Sequence, residues 1–100
     1  MTDNPIQVGH IETNIEATVS YRVTGAPPML RRYSAIMFQP ERLDVTFENS
    51  QFTSVQVSGR RVLKSRLGET LRNRYYFGTP KMEIPEWVWP YLSAPPERPS

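Results

Sequence analysis

Between residues 11 and 24 apolar and polar side chains alternate with hardly a break. Ile11, Ile15, Ala17, Val19, Tyr21 and Val23 interleave with Glu12, Asn14, Glu16, Thr18, Ser20 and Arg22. Successive side chains of an extended chain point to opposite faces, so this pattern specifies a long strand with one face on a core and the other in water. Strands of parallel sheets are covered on both faces and read as continuous apolar runs, so the alternation selects an antiparallel sheet.

Further strands follow at short intervals. Gly25, Pro27 and Pro28 interrupt the pattern and mark a loose hairpin loop, after which residues 33–38 resume with β-compatible side chains. Gln39, Pro40, Glu41 and Arg42 read as a turn, and Leu43, Val45 and Phe47 then alternate with Asp44, Thr46 and Glu48 until Asn49 and Ser50 end the strand. Val55 and Val57 lie two apart in the next segment, where Gly59 suggests a bulge or kink before Val62 and Leu63. Further on, Leu67, Leu71 and Tyr75 fall four apart and suggest a short helix, although the run from Arg74 to Phe77 suits a strand equally well. The last 21 residues hold six of the ten prolines, which excludes a continuous helix or strand. One short helix remains compatible there, with Pro85 at its first position and Trp87 over Tyr91, and Val88 over Leu92.

The expected fold is α+β, mainly an antiparallel β-meander of four to five strands with one or two short C-terminal helices. Residues 1–9 are read as a flexible lead, 10–93 as a single domain, and 94–100 as a proline-rich disordered tail. A chain of 100 residues hides only roughly 60–68% of its unfolded surface on folding. With no cysteine, disulfides, thiolate metal sites and thiol catalysis are excluded. The first residues lack the basic and apolar stretches of a secretory signal, and no window is long and apolar enough to span a membrane, so a cytoplasmic location is expected.

The residues offer little for catalysis. His10 is the only histidine, so no zincin spacing and no histidine-assisted nucleophile can be built within the chain. The pairs Asp44/Glu48 and Glu12/Glu16 are what solvated strand faces produce, and the five glycines are scattered singly with no phosphate loop. No catalytic residue, metal or cofactor is assigned, and no enzymatic activity is expected.

Two segments suggest binding instead. Residues 60–81 carry seven basic groups, Arg60, Arg61, Lys64, Arg66, Arg72, Arg74 and Lys81, against one acid, Glu69, while the remainder of the chain is net acidic. Tyr75 and Tyr76 adjoin them, so guanidinium groups for phosphates lie beside rings that can stack on bases. If residues 67–77 were helical, Arg72 and Arg74 would diverge by about 200° and the patch would be diluted. The second segment is the aromatic tail, in which Trp87, Trp89 and Tyr91 serve either as a lid on the sheet or as anchors for a protein partner.

The stretches RYSAIMFQPERL (32–43), TSVQVS (53–58), GRRVLKSRLG (59–68) and IPEWV (84–88) give the chain a resemblance to small uncharacterised proteins of actinobacteria and their phages. What the resemblance implies is a small accessory protein that acts by binding, with no catalytic or ligand residues to carry over. The function expected is that of a non-catalytic accessory or regulatory protein, phage-like, binding a protein partner through Trp87, Trp89 and Tyr91. An unpaired strand edge also allows a homo-oligomer. The alternative is nucleic-acid binding through Arg60, Arg61, Lys64, Arg66, Arg72, Arg74, Tyr75 and Tyr76.

Overall fold

The structure, a computed structural model, describes residues 5–14, 17–62 and 69–93. Within them the chain forms β1 (Gln7–Thr13), β2 (Thr18–Thr24), β3 (Met29–Leu30), β4 (Met37–Glu48), β5 (Gln51–Arg61) and β6 (Thr70–Tyr76). Two 3₁₀ stretches follow, Lys81–Glu83 and Glu86–Leu92. All strand pairings are antiparallel, in the order β1-β2-β4-β5-β6, with β3 added to the start of β4. The antiparallel meander is therefore as expected, with more strands and less helix.

The alternation through residues 11–24 belongs to a hairpin and not to one strand. Ala17 takes a φ of 64°, its N–H donates to the Asn14 carbonyl at 3.0 Å, and the Asn14 side-chain oxygen accepts the Thr18 N–H at 3.0 Å. Thr13 pairs with Val19 across the reversal, so a period-two count crosses it in phase, whereas the register shifts between His10 and Glu12 and leaves Ile11, the first of the apolar series, exposed. β1 begins at Gln7, within the stretch read as a flexible lead.

β4 likewise runs unbroken through the four residues read as a turn. Its pairing with β5 shifts between Pro40 and Arg42, so one extra residue, Glu41, is accommodated as a bulge beside the proline that has no N–H to donate. The bulge rephases the strand: Phe38 and Pro40 point inward before it, Leu43, Val45 and Phe47 after it. At the far end Asn49 and Ser50, with φ of 53° and 66°, make the two-residue hairpin that joins Glu48 to Gln51. Gly59 sits against the bulge, where its missing side chain lets the Gln39 carbonyl approach.

Residues 70–76 are a strand where the four-residue spacing suggested a helix. Leu71, Asn73 and Tyr75 are buried and Thr70, Arg72, Arg74 and Tyr76 exposed, and each residue pairs with β5. Leu67, the first residue of the apparent helical series, lies outside the described residues.

One face of the sheet carries the core: Val19, Tyr21 and Val23 of β2, Leu43, Val45 and Phe47 of β4, Val55 and Val57 of β5, and Leu71 and Tyr75 of β6. The C-terminal segment covers this face, burying Ile84 and Val88 completely or nearly so. It is 3₁₀ and not α-helical, with Pro85 as its N-cap and Pro90 inside. Three residues per turn then bring Val88 and Tyr91 to the same side, and the Tyr91 ring packs on Tyr21 with centroids 4.8 Å apart.

Further cover comes from the connection between β3 and β4, where Ile36 packs against the core. Buried Asn73 accepts the Arg32 N–H at 2.7 Å and donates to the Leu30 carbonyl at 2.9 Å, while the Arg32 guanidinium donates to the Arg74 carbonyl at 2.8 Å. One side-chain bond from this loop thus occupies a backbone carbonyl at the edge of β6.

Candidate functional site

Among the described residues no segment covers the opposite face of the sheet. Because side chains alternate along each strand, the residues that face away from the core follow from the register. One row across β2, β4, β5 and β6 reads Thr18, Thr46, Ser54, Tyr76; the next reads Ser20, Asp44, Gln56, Arg74; the third reads Arg22, Arg42, Ser58, Arg72. Arg60 follows on β5, paired with Thr70. Five arginines therefore share one open face, interspersed with small hydroxyls, one glutamine and Asp44.

Not all of that charge is free. Arg42 Nε donates to both carboxylate oxygens of Asp44 at 3.1 and 3.2 Å, and Ser20 Oγ donates to Asp44 Oδ1 at 2.6 Å. Arg60 lies 3.6 Å from Glu41, an exposed pair worth at most about 1 kcal/mol in water. The Arg74 guanidinium bonds the neutral Gln56 at 2.6 Å, and no ion pair neutralises Arg22, Arg72 or Arg74 among the described residues. Glu12, paired with Ser20 at the edge, adds a further acid. Directly opposed like charges such as Arg22 and Arg42 oppose strand pairing, so folding alone gives no reason to place them there.

The basic residues singled out in the sequence divide between the two faces. Arg60, Arg72, Arg74 and Tyr76 lie on the open face, and β6 being a strand brings Arg72 and Arg74 together instead of separating them. Arg61 turns the other way and donates to Glu69 at 2.9 Å. Tyr75 is 2% exposed, sits in the core under the Arg32 guanidinium and cannot meet a ligand on the open face. Burial raises its hydroxyl pKa above the ordinary 10, partly offset by the Asn73 hydrogen bond and the Arg32 charge. Lys64 and Arg66 lie outside the described residues. Arg22 and Arg42, which the charge count by segment passed over, join the face from distant parts of the chain.

The tail aromatics serve the lid. The Trp89 indole N–H is shared between the Lys81 and Ile84 carbonyls at 3.1 and 2.9 Å, and Lys81 stands 4.9 Å over its ring. Trp87, Trp89 and Tyr91 are all partly buried against the core cluster. Beside them runs a groove of about 540 Å³ in whose lining Arg32 pairs with Glu83 at 3.2 Å and Asn73 holds the loop. Among the described residues no three His, Asp or Glu side chains come together to hold a metal ion, and no helix is long and apolar enough to cross a membrane.

No protein-family model matches the chain, and neither the curated proteins nor the solved structures give a match.

Proposed function

We propose that this protein is a non-catalytic nucleic-acid-binding accessory protein that engages its ligand through the open sheet face. The observation that carries this reading is the gathering of Arg22, Arg42, Arg60, Arg72 and Arg74 on one uncovered surface, three of them without a carboxylate partner among the described residues. Guanidinium forks suit phosphate oxygens, and the Ser, Thr and Gln side chains between them can add hydrogen bonds that fix register on a sugar-phosphate backbone. A protein partner anchored by Trp87, Trp89 and Tyr91 is the less favoured reading. The Trp89 N–H is spent on the chain's own carbonyls and Tyr91 on Tyr21. The accessory role agrees with the resemblance to small phage and actinobacterial proteins.

Fluorescence anisotropy of labelled DNA and RNA, single- and double-stranded, tests this. Three uncompensated arginines on a single strand correspond to a log-log salt slope of roughly −2, or about a fifteenfold loss of affinity between roughly 50 and 200 mM salt. The double variant Arg72→Ala/Arg74→Ala should retain the wild-type melting temperature and reduce that slope to about −1. Absence of binding to every nucleic acid at low salt would refute the proposal.

A further inference from the structure

Resting on that reading, we infer that the ligand is single-stranded nucleic acid, with a base stacked on Tyr76 and the adjoining phosphates held by Arg74 and Arg72. The three side chains project from alternate residues of β6 on the same face, about 7 Å apart from one to the next. Tyr76 is 56% exposed. Its backbone is fixed, because its N–H donates to Thr79 Oγ1 at 3.0 Å and its carbonyl accepts the Thr79 N–H at 2.8 Å. A fixed strand end therefore presents an aromatic surface to solvent beside two guanidiniums that no carboxylate among the described residues neutralises. That combination matches the two parts by which single strands are held, positive charge along the backbone and rings under the bases.

The shape of the face disfavours groove readout of a duplex. With neighbouring strands about 4.8 Å apart, the five-strand face is roughly 19 Å across, whereas the major groove of a duplex is roughly 12 Å wide and takes a helix or a two-stranded ribbon. Ser54 and Ser58 on the neighbouring strand are small and Gln56 between them is tied to Arg74 at 2.6 Å, so the β6 column borders a low surface on which a splayed strand can lie. An apolar protein partner finds little to bury on the same face, since its rows are hydroxyls, arginines, Asp44 and Gln56, with Tyr76 as the large ring.

The experiment compares four probes of equal length by anisotropy at low salt: a mixed-sequence single strand of DNA, its RNA counterpart, the duplex, and a strand with abasic sites along its centre. The wild-type protein should bind the base-bearing strands about tenfold more tightly than the abasic strand, the scale of one stacked base, and more tightly than the duplex. Tyr76→Ala should remove the preference over the abasic strand and leave abasic binding unchanged, and Tyr76→Phe should keep it. Both variants lie at an exposed position and are checked for a wild-type melting temperature. Equal binding of abasic and base-bearing strands, a duplex preference, or a Tyr76→Ala variant with undiminished preference would overturn the inference while leaving the arginine face as a polyanion site. Binding to none of the four probes would overturn both.

Discussion

Substituting Gly59 with alanine tests the register on which the arginine face depends. An added Cβ would overlap the Gln39 carbonyl oxygen and lie 2.6 Å from its carbon and 3.0 Å from Pro40 Cα. These are backbone atoms in the bulge of the paired strand, so no side-chain rotation relieves the clash. Carbon atoms in contact keep about 3.5–4.0 Å, and the Gln39 oxygen lies closer still, so β4 and β5 must separate by at least roughly 1 Å at this point. Overpacking of this kind costs about 1–3 kcal/mol, and each neighbouring ladder bond that is lost adds about 1 kcal/mol. A destabilisation of about 3 kcal/mol would lower the melting temperature of a domain this size by at least roughly 12 °C. Gly9→Ala is the matched control, because no heavy atom lies within 4 Å of its Cβ position. That variant should be neutral or slightly stabilising, since a β-carbon mainly restricts the unfolded chain. Thermal and urea unfolding of the two variants beside wild type decide the matter. A Gly59→Ala protein melting within about 3 °C of Gly9→Ala would refute the pairing of Gly59 with the Pro40 bulge. Since slipping a strand by one residue exchanges its faces, it would also remove the grounds for placing Arg60, Arg72 and Arg74 together.

Asn73→Ala should lower unfolding stability by about 2–3 kcal/mol in urea titrations, because it leaves the Arg32 N–H and the Leu30 carbonyl without their partner in a buried site. Trp89→Phe should cost about 1 kcal/mol through loss of the indole bonds to Lys81 and Ile84 while leaving nucleic-acid affinity unchanged. Burial raises the hydroxyl pKa of Tyr21, with the neighbouring Tyr91 adding to the shift, and burial likewise raises that of Tyr75. The folded state then holds its phenolic protons more tightly than the unfolded chain, so the stability they contribute is complete below pH of about 10 and is lost as pH rises through the raised values. Tyr75→Phe should flatten this alkaline loss, as followed by pH-dependent denaturation together with tyrosinate absorbance; an unchanged alkaline limb would contradict the assignment.

The strands of this sheet were legible wherever burial alone sets the pattern, as at Val19, Tyr21 and Val23 or at Leu43, Val45 and Phe47. β6 was obscured by Asn73. A polar residue at an inward position breaks the alternation of Leu71 and Tyr75, and its reason for being there is a loop forty residues away in sequence. Pro40 misled in the same sense. A proline reads as a chain break, but here the bulge at Glu41 absorbs its missing donor and the strand continues.

The candidate site was half visible. Arg60, Arg72 and Arg74 stand out in a count of charge along the chain, whereas Arg22 and Arg42 join them only through the pairing of β2 with β4 and of β4 with β5. The alternation already placed Arg22 on a polar face, but nothing local says which other strands share it. Trp89 carries the converse lesson. Its ring suited a lid on the sheet or an outward anchor alike, and the hydrogen bonds of its N–H to the chain's own backbone identify it as part of the lid.

The most direct test of the arginine face is a two-dimensional ¹H–¹⁵N correlation spectrum of the labelled protein titrated with a short single strand. Shifts should concentrate at the amides of Arg72, Arg74 and Tyr76 and extend to Arg22, Arg42 and Arg60, while the Trp87 and Trp89 indole signals stay in place. Shifts centred on those two indoles, with β6 unmoved, would contradict the account and return the binding surface to the tail.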